Sequence, residues 1–132
     1  MSHNRLQIVF LTALASLALG MPGRAQGVET KTGAVVLCGS SLNCTAPATI
    51  DYKKVRNNTP EWKTIRSDGV RKGSAHYTLL LNKMGKRIKD CCRAVSAEKG
   101  KDCILRKRDI SDARGLKVVD LTREVIKKLE SH

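Results

Sequence analysis

Hydrophobic residues recur at helical spacing over the longest regular stretch of the chain, which follows Ser74. Five of them are separated alternately by three and four residues, which places them on one face of an α-helix. These residues are Leu81, Met84, Ile88, Cys91 and Val95. The positions between them are mostly charged, and Gly100 is a common helix terminator. The pattern predicts a helix from Ser74 to about Lys99, whose apolar seam packs in the chain's own core or against a helix of a second chain.

A second helix is predicted to begin at Thr59. Threonine is a good N-cap, Pro60 occupies the first helical position, and Glu61 suits the positive end of a helix. Gly69 and Gly73 then break the pattern before Ser74. The two helices together predict a short helical hairpin.

Short apolar runs on either side of the hairpin predict a small β-strand body. The runs are Gly33–Leu37, Asp102–Leu105 and Val118–Val119. A last helix is predicted from Thr122, as its N-cap, to about Leu129. Residues 26–32 are expected to be frayed and residues 110–117 to form a loop. The fold class is therefore α+β: a β-strand body, a short helical hairpin and a C-terminal helix.

The first 25 residues resemble an export signal. Arg5 precedes a 12-residue apolar run from Ile8 to Leu19, and Gly23-Arg24-Ala25 offers small residues for cleavage. The run is too short to span a bilayer as a helix. The expected mature protein is periplasmic or secreted and spans residues 26–132 as a single domain. Residues 26–47 form a cysteine-containing N-terminal extension of that domain.

Positive charge dominates the expected mature chain. Without Arg5 and Arg24 it keeps 23 Lys and Arg against 12 Asp and Glu, a net charge of +11. Such an excess favours anionic partners such as an envelope surface, lipopolysaccharide or acidic protein segments, although it also serves solubility alone. Export and the scarcity of aromatic residues argue against nucleic acid as the partner.

The five cysteines are expected to form disulfides in an oxidising compartment. They are Cys38, Cys44, Cys91, Cys92 and Cys103. We expect Cys38 to pair with Cys44 and either Cys91 or Cys92 to pair with Cys103. Their spacing predicts neither a metal site nor a redox motif, because no CxxC occurs. No catalytic motif or cofactor-binding loop is present in the sequence, which predicts a protein that is not an enzyme and needs no cofactor.

Two blocks of the chain resemble the Skp/OmpH-like periplasmic chaperones. Residues 94–105 (AVSAEKGKDCIL) and 119–129 (VDLTREVIKKL) are similar to that family's closing segments, of the form VAxExGYDLVL and DITDEVIKxL. Residues 49–63 (TIDYKKVRNNTPEWK) are similar, more weakly, to its first strand and helix start. Family members carry a long helical hairpin between these blocks, and this chain has room only for a much shorter one.

The resemblance implies a small chaperone that binds unfolded or outer-membrane proteins, assembled as a homotrimer. Its clients are expected to meet the hairpin, where lysine and arginine attract anionic segments and apolar side chains give shallow contacts. The expected client-binding residues are Lys83, Lys86, Arg87, Lys89, Leu79, Leu80 and Tyr77. The alternatives are a disulfide-stapled secreted binder of one specific partner, of the inhibitor or immunity type, and a binder of anionic lipid or lipopolysaccharide.

Overall fold

The chain has an α+β fold, described by a computed structural model for residues 27–131. The predicted export signal, residues 1–25, lies outside the described residues. The strands are β1 (Glu29–Thr30), β2 (Val36–Gly39), β3 (Pro47–Ile50), β4 (Cys103–Arg106), β5 (Ile110–Asp112) and β6 (Val119–Asp120). The helices are α1 (Tyr52–Asn57), α2 (Pro60–Ser67), α3 (Ala75–Lys99) and α4 (Thr122–Glu130).

A mixed sheet holds the fold together. Its strand order is β2-β4-β3-β6, with β4 and β6 parallel to β3 and β2 antiparallel to β4. All four residues of β3 are buried, as expected for a parallel strand covered on both faces. The sheet therefore brings residues 47–50 directly beside residues 103–106 and 119–120, although the hairpin separates them in sequence.

Helix α3 is the longest element and matches its predicted bounds. Ser74 is its N-cap and accepts a hydrogen bond from the Tyr77 amide, and Gly100 ends it with a φ of 65°, in the left-handed region that favours glycine. Its 25 residues span about 37 Å. The seam from Met84 to Val95 packs in the hydrophobic core of the same chain, against residues of the sheet and of α4.

Helix α2 completes the predicted hairpin. Thr59 caps it by accepting a hydrogen bond from the Trp62 amide, and Pro60 is its first residue. Ile65 of α2 is buried, and Trp62 packs on the main core. α2 is much shorter than α3, so the two helices pair over only part of the length of α3.

Three local predictions are wrong. Residues 29–30 are not frayed and residues 110–112 are not loop, because they pair as the antiparallel strands β1 and β5. Both strands are so short that neither shows an alternating pattern in the sequence. Thr122 is the first residue of α4 rather than its N-cap: its amide and hydroxyl both donate to Asp120 Oδ1, at 2.9 and 2.6 Å.

The predicted disulfide pairing is also wrong. Cys44 is bonded to Cys103, with their Cα atoms 5.7 Å apart, whereas Cys38, Cys91 and Cys92 are free. The cause is the sheet register: Pro47 lies opposite Cys103, so the segment leading into β3 runs beside the start of β4. Cys38 lies in β2 and faces the main core instead.

The disulfide fits an exported protein, since such bonds persist in oxidising compartments. Within residues 27–131, none of the helices has both the length and the apolar character needed to cross a bilayer.

Candidate functional site on the helical hairpin

The N-terminal turns of α3 differ from the rest of the helix. From Ala75 to Lys83 no side chain is fully buried, whereas Met84, Ile88, Cys91, Cys92, Val95 and Ser96 are. Sequence periodicity alone treats the helix as one amphipathic unit. The first part of α3 therefore contributes little to the core and is available for contacts with other molecules.

Leu79, Lys83 and Lys86 form an outer stripe on α3. They are spaced by four and three residues, which places them on one helix face, opposite the buried seam. Leu79 is 52% exposed, and few large hydrophobic side chains among residues 27–131 are as accessible. Lys86 forms an exposed ion pair with Asp90 at 2.8 Å. Lys89 is exposed on the flank of the stripe.

The other predicted client-binding residues, Tyr77, Leu80 and Arg87, are partly buried. Tyr77 and Leu80 are half-buried, and Tyr77 falls at the helical spacing of the seam. Arg87 donates through Nε to both carboxylate oxygens of Glu61, at 2.9 and 3.1 Å. Thus the structure places Leu79, Lys83, Lys86 and Lys89 on the exposed side of α3, whereas Tyr77 and Leu80 are half-buried and Arg87 binds Glu61 of α2.

A pocket of about 420 Å³ lies between α2 and α3, beside the outer stripe. Glu61, Lys83, Lys86, Arg87, Asp90 and Cys91 line it. Both positively and negatively charged side chains line the pocket. Cys91 lies at its base and is only 1% exposed. Burial raises the pKa of the Cys91 thiol, although Arg87 lowers it, so the thiol stays protonated at neutral pH.

A second surface, the basic groove, lies where the parallel strands β3 and β4 end. It is a cavity of about 830 Å³ lined by Tyr52, Lys53, Arg56, Arg106, Lys107, Arg108, Asp51 and Asp109. The carboxyl ends of parallel strands meet at one edge of a sheet, so the residues after Ile50 and after Leu105 converge there. The basic run 106–108 is visible in the sequence, but its approach to Lys53 and Arg56 is not.

Some cations of the basic groove are engaged and others are open. Arg106 donates to Asp109 Oδ2 at 2.7 Å, and Lys107 pairs with Asp120 at 3.3 Å. Partial burial would raise the pKa of Asp109, but the hydrogen bonds from Arg106 and the Val35 amide outweigh it, and that pKa lies below its ordinary value. The side chains of Lys53 and Arg108 are exposed and form no ion pair with any described residue. The groove therefore keeps a positive potential.

Arg56 forms the wall of the basic groove nearest the hairpin. Its guanidinium carbon lies 4.1 Å from the centre of the Trp62 ring, a cation–π contact that fixes the side chain. This stacking joins α1 to α2 and links the basic groove to the base of the hairpin.

The disulfide region offers no metal site. Cys44, Asp102 and Cys103 bring their ligand atoms within 4.8 Å of one another, but both sulfur atoms are in the disulfide. Asp102 instead accepts hydrogen bonds from Thr45 N, Thr45 Oγ1 and Ala46 N, at 2.8, 2.6 and 2.8 Å. These bonds outweigh the effect of burial and hold the pKa of Asp102 below its ordinary value. The Asp102 carboxylate therefore holds the loop before β3 in place through hydrogen bonds to Thr45 and Ala46.

No family model, curated protein or solved structure matches this chain. The resemblance to the Skp/OmpH-like chaperones therefore rests on the sequence blocks quoted above.

Proposed function

We propose that the protein is a small Skp/OmpH-like periplasmic chaperone that is exported, binds unfolded or outer-membrane proteins and catalyses no reaction. The observation that carries the proposal is the outer stripe, where a half-exposed leucine stands among lysines on the least buried part of α3. A surface of this kind attracts clients through charge and retains them through shallow apolar contact. It selects no particular client shape.

The chain topology supports the proposal. The two blocks that resemble the family contribute β3 and α1 on one side of the hairpin, and β4, β6 and α4 on the other. β3 pairs directly with β4 and β6, so both blocks belong to one sheet from which the hairpin departs. A body assembled from the two blocks with a helical hairpin between them is what the resemblance implies.

Long-range attraction comes from the distribution of charge. Residues 27–131 carry all 23 Lys and Arg and all 12 Asp and Glu of the expected mature chain. Lys83, Lys86 and Lys89 add positive charge beside Leu79, whereas the nearest carboxylate on that face is Asp90, already bound to Lys86. An acidic or amphipathic client segment would meet the stripe with favourable electrostatics at low ionic strength.

The short hairpin limits the mode of binding. α2 has eight residues and α3 twenty-five, so one chain offers a ridge about 37 Å long rather than an enclosing arm. We propose that clients bind along this ridge. If chains assemble as the homotrimer that the resemblance implies, three ridges present the same stripe to one client and increase its avidity.

A titration with an unfolded client tests the proposal. The full chain is added to a fluorescently labelled outer-membrane β-barrel protein freshly diluted from urea, and anisotropy is recorded from 20 to 500 mM salt. Because the Debye length falls from more than 20 Å to about 4 Å over this range, binding should weaken steeply. Binding that ignores salt, or no binding at the lowest salt, would contradict the proposal. A folded, acidic globular protein of similar size is the matched control and should bind far more weakly.

The basic groove favours a second candidate function, the binding of anionic lipid or lipopolysaccharide headgroups. Its five cations face two carboxylates, and three of the cations, Lys53, Arg56 and Arg108, form no ion pair with any described residue. Cosedimentation with vesicles of zwitterionic lipid, with and without anionic lipid, tests it. Arg108→Glu should abolish binding to anionic vesicles, whereas Lys83→Glu should leave it unchanged. The reverse pattern would assign anion binding to the hairpin instead.

A further inference from the structure

Two of the free cysteines, Cys38 of β2 and Cys92 of α3, lie close together where α3 packs on the sheet. Cys92 is fully buried in the main core, and Cys38 packs against the same core from the edge strand. Cys38 Sγ is 3.3 Å from Ser96 Oγ, and Ser96 follows Cys92 by four residues, one helical turn along the same face. Cys38 is also near enough to raise the pKa of the Cys92 thiol electrostatically.

Small side chains permit a close approach of helix and strand. Cys38 on β2 lies against Ser96 on α3, and residues of the two elements have Cα atoms within 8 Å of each other. Disulfides join residues whose Cα atoms lie about 4.4–6.8 Å apart. The packing of α3 on β2 therefore places Cys38 against Ser96, one helical turn from Cys92.

The hydrogen bonds of Ser96 orient the Cys38 thiol towards α3. Ser96 Oγ donates its only proton to the Arg93 carbonyl oxygen at 2.9 Å. Its contact with Cys38 must then use the thiol as donor and the hydroxyl oxygen as acceptor. Cys38 thus points its sulfur at the turn of α3 that carries Cys92.

Cys91 is excluded as the partner by helix geometry. Successive helix residues are rotated by 100°, so Cys91 points away from Cys92. Cys91 lines the pocket between α2 and α3, beside Glu61 and Arg87, whereas Cys38 contacts Ser96 on the Cys92 side of the helix.

We propose that Cys38 and Cys92 form a second disulfide under oxidising conditions, which links β2 to α3 and leaves Cys91 as the only free thiol among residues 27–131. This bond would cross-link the base of the hairpin to the sheet, as Cys44–Cys103 links the loop before β3 to β4. The proposal goes beyond the proposed function and does not depend on it.

The oxidant is a low-molecular-weight disulfide such as oxidised glutathione. The thiolate of Cys38, the more exposed of the two, attacks one sulfur of the oxidant, forms a mixed disulfide and releases one thiol. The thiolate of Cys92 then attacks the Cys38 sulfur, forms the protein disulfide and releases the second thiol. Two protein thiols are oxidised, one external disulfide is reduced, and the two protons end on the released thiols.

Peptide mapping of the full chain tests the proposal. The chain is incubated with oxidised glutathione, denatured, alkylated and digested with trypsin. Cys38 and Cys44 share the peptide 32–53, Cys91 and Cys92 share 90–93, and Cys103 lies in 102–106. We expect all three peptides to be joined in one species, and one free thiol per chain instead of three. A species of 32–53 and 102–106 alone, with 90–93 alkylated at both cysteines, would overturn the proposal.

Two matched variants assign the partner. Cys91→Ser should keep the three-peptide species, and Cys92→Ser should lose it while keeping the bond between 32–53 and 102–106. The opposite result would identify Cys91 as the partner and overturn the proposal. Absence of the three-peptide species from the unsubstituted chain would overturn the proposal by itself, so a variant that fails to fold does not remove the test.

Discussion

Arg87 of α3 binds both carboxylate oxygens of Glu61 in α2, at 2.9 and 3.1 Å, and this ion pair joins the two helices of the hairpin. The Glu61 side chain is only 7% exposed, whereas Arg87 is 33% exposed. The carboxylate is thus largely withdrawn from water and depends on the guanidinium for compensation.

Removal of Arg87 should destabilise the protein more than removal of Glu61. Arg87→Gln leaves a buried carboxylate unpaired, and we expect it to lower the free energy of unfolding by about 2–3 kcal/mol. Glu61→Gln leaves an arginine that can reach water, and about 1 kcal/mol should be lost. Urea unfolding of both variants measures the difference. Lys86→Gln, which removes an exposed ion pair, is the control and should change stability by less than about 0.5 kcal/mol. Equal, small effects of all three substitutions would contradict a supporting role for the pair.

Leu79 should matter for client binding and not for stability. Its side chain is 52% exposed, so Leu79→Ser should change the free energy of unfolding by less than about 0.5 kcal/mol. Client affinity should fall about threefold to tenfold, because apolar contact is lost from the outer stripe. Leu42→Ser is the matched control, since Leu42 is 70% exposed and lies in a turn outside the hairpin. A similar loss of affinity in both variants would contradict a specific contribution of the outer stripe to client binding.

Charge reversal on the hairpin should reduce the salt dependence of client binding. The double substitution of Lys83 and Lys89 by glutamate should weaken binding about tenfold at low ionic strength and have little effect at high salt. Reversal of Lys117 and Lys127, which are exposed but lie outside the hairpin, changes the net charge equally. If that control weakens binding as much, then total charge rather than its location on α3 controls the affinity.

The Cys44–Cys103 disulfide should provide much of the stability of the sheet. Its two cysteines are 59 residues apart in sequence, and loss of a native disulfide from a small secreted domain typically costs about 2–5 kcal/mol. Replacement of both by alanine should lower the unfolding midpoint in urea accordingly. The chaperone proposal predicts that the oligomeric state of the folded fraction, measured by light scattering, is unchanged. Complete loss of folding would favour the disulfide-stapled binder of one partner.

Stability should fall at alkaline pH through Cys92. Burial, aided by Cys38 and Cys91, raises the pKa of this thiol from its ordinary value of 9.0 to about 12. Because the pKa is raised in the folded state, the contribution to stability is complete below pH 9 and is lost as the pH rises towards 12. Between these values the free energy of unfolding should fall by up to about 1.4 kcal/mol per pH unit for this group.

Urea unfolding at pH 8 and pH 10.5, under anaerobic conditions that keep the free cysteines reduced, checks this prediction. Cys92→Ala should show a smaller decrease with pH than the unsubstituted chain. The pKa of Tyr52 is also raised, mainly by burial and to a small extent by Cys92, so its contribution acts in the same direction in both proteins. An identical decrease in both proteins would contradict the assignment to Cys92.

Local signals made α3 and the start of α2 predictable from sequence. Their caps, Ser74 and Thr59, lie next to the residues that they bind, and the seam of α3 repeats within a single helix. Helical spacing also predicts that Leu79 and Tyr77 lie on different faces of α3, because Tyr77 falls on the seam and Leu79 falls outside it. What the spacing does not reveal is that the core ends at Met84 and leaves the first turns of α3 uncovered.

Features that depend on strand pairing were not predictable. The Cys44–Cys103 bond and the basic groove both follow from the parallel register of β3 and β4, which brings together residues more than 50 positions apart. β1 and β5 are two and three residues long, too short for a periodic pattern, and form only because each provides the other's hydrogen bonds.

Suppression of client aggregation tests the central claim most directly. An unfolded outer-membrane β-barrel protein is diluted from urea at 50 mM salt into a threefold excess of the full chain, and light scattering is followed over time. The account predicts that scattering is suppressed, that suppression is lost at 500 mM salt, and that reversal of Lys83 and Lys89 abolishes it while reversal of Lys117 and Lys127 does not. Scattering that rises equally with and without the protein at 50 mM salt would contradict the account.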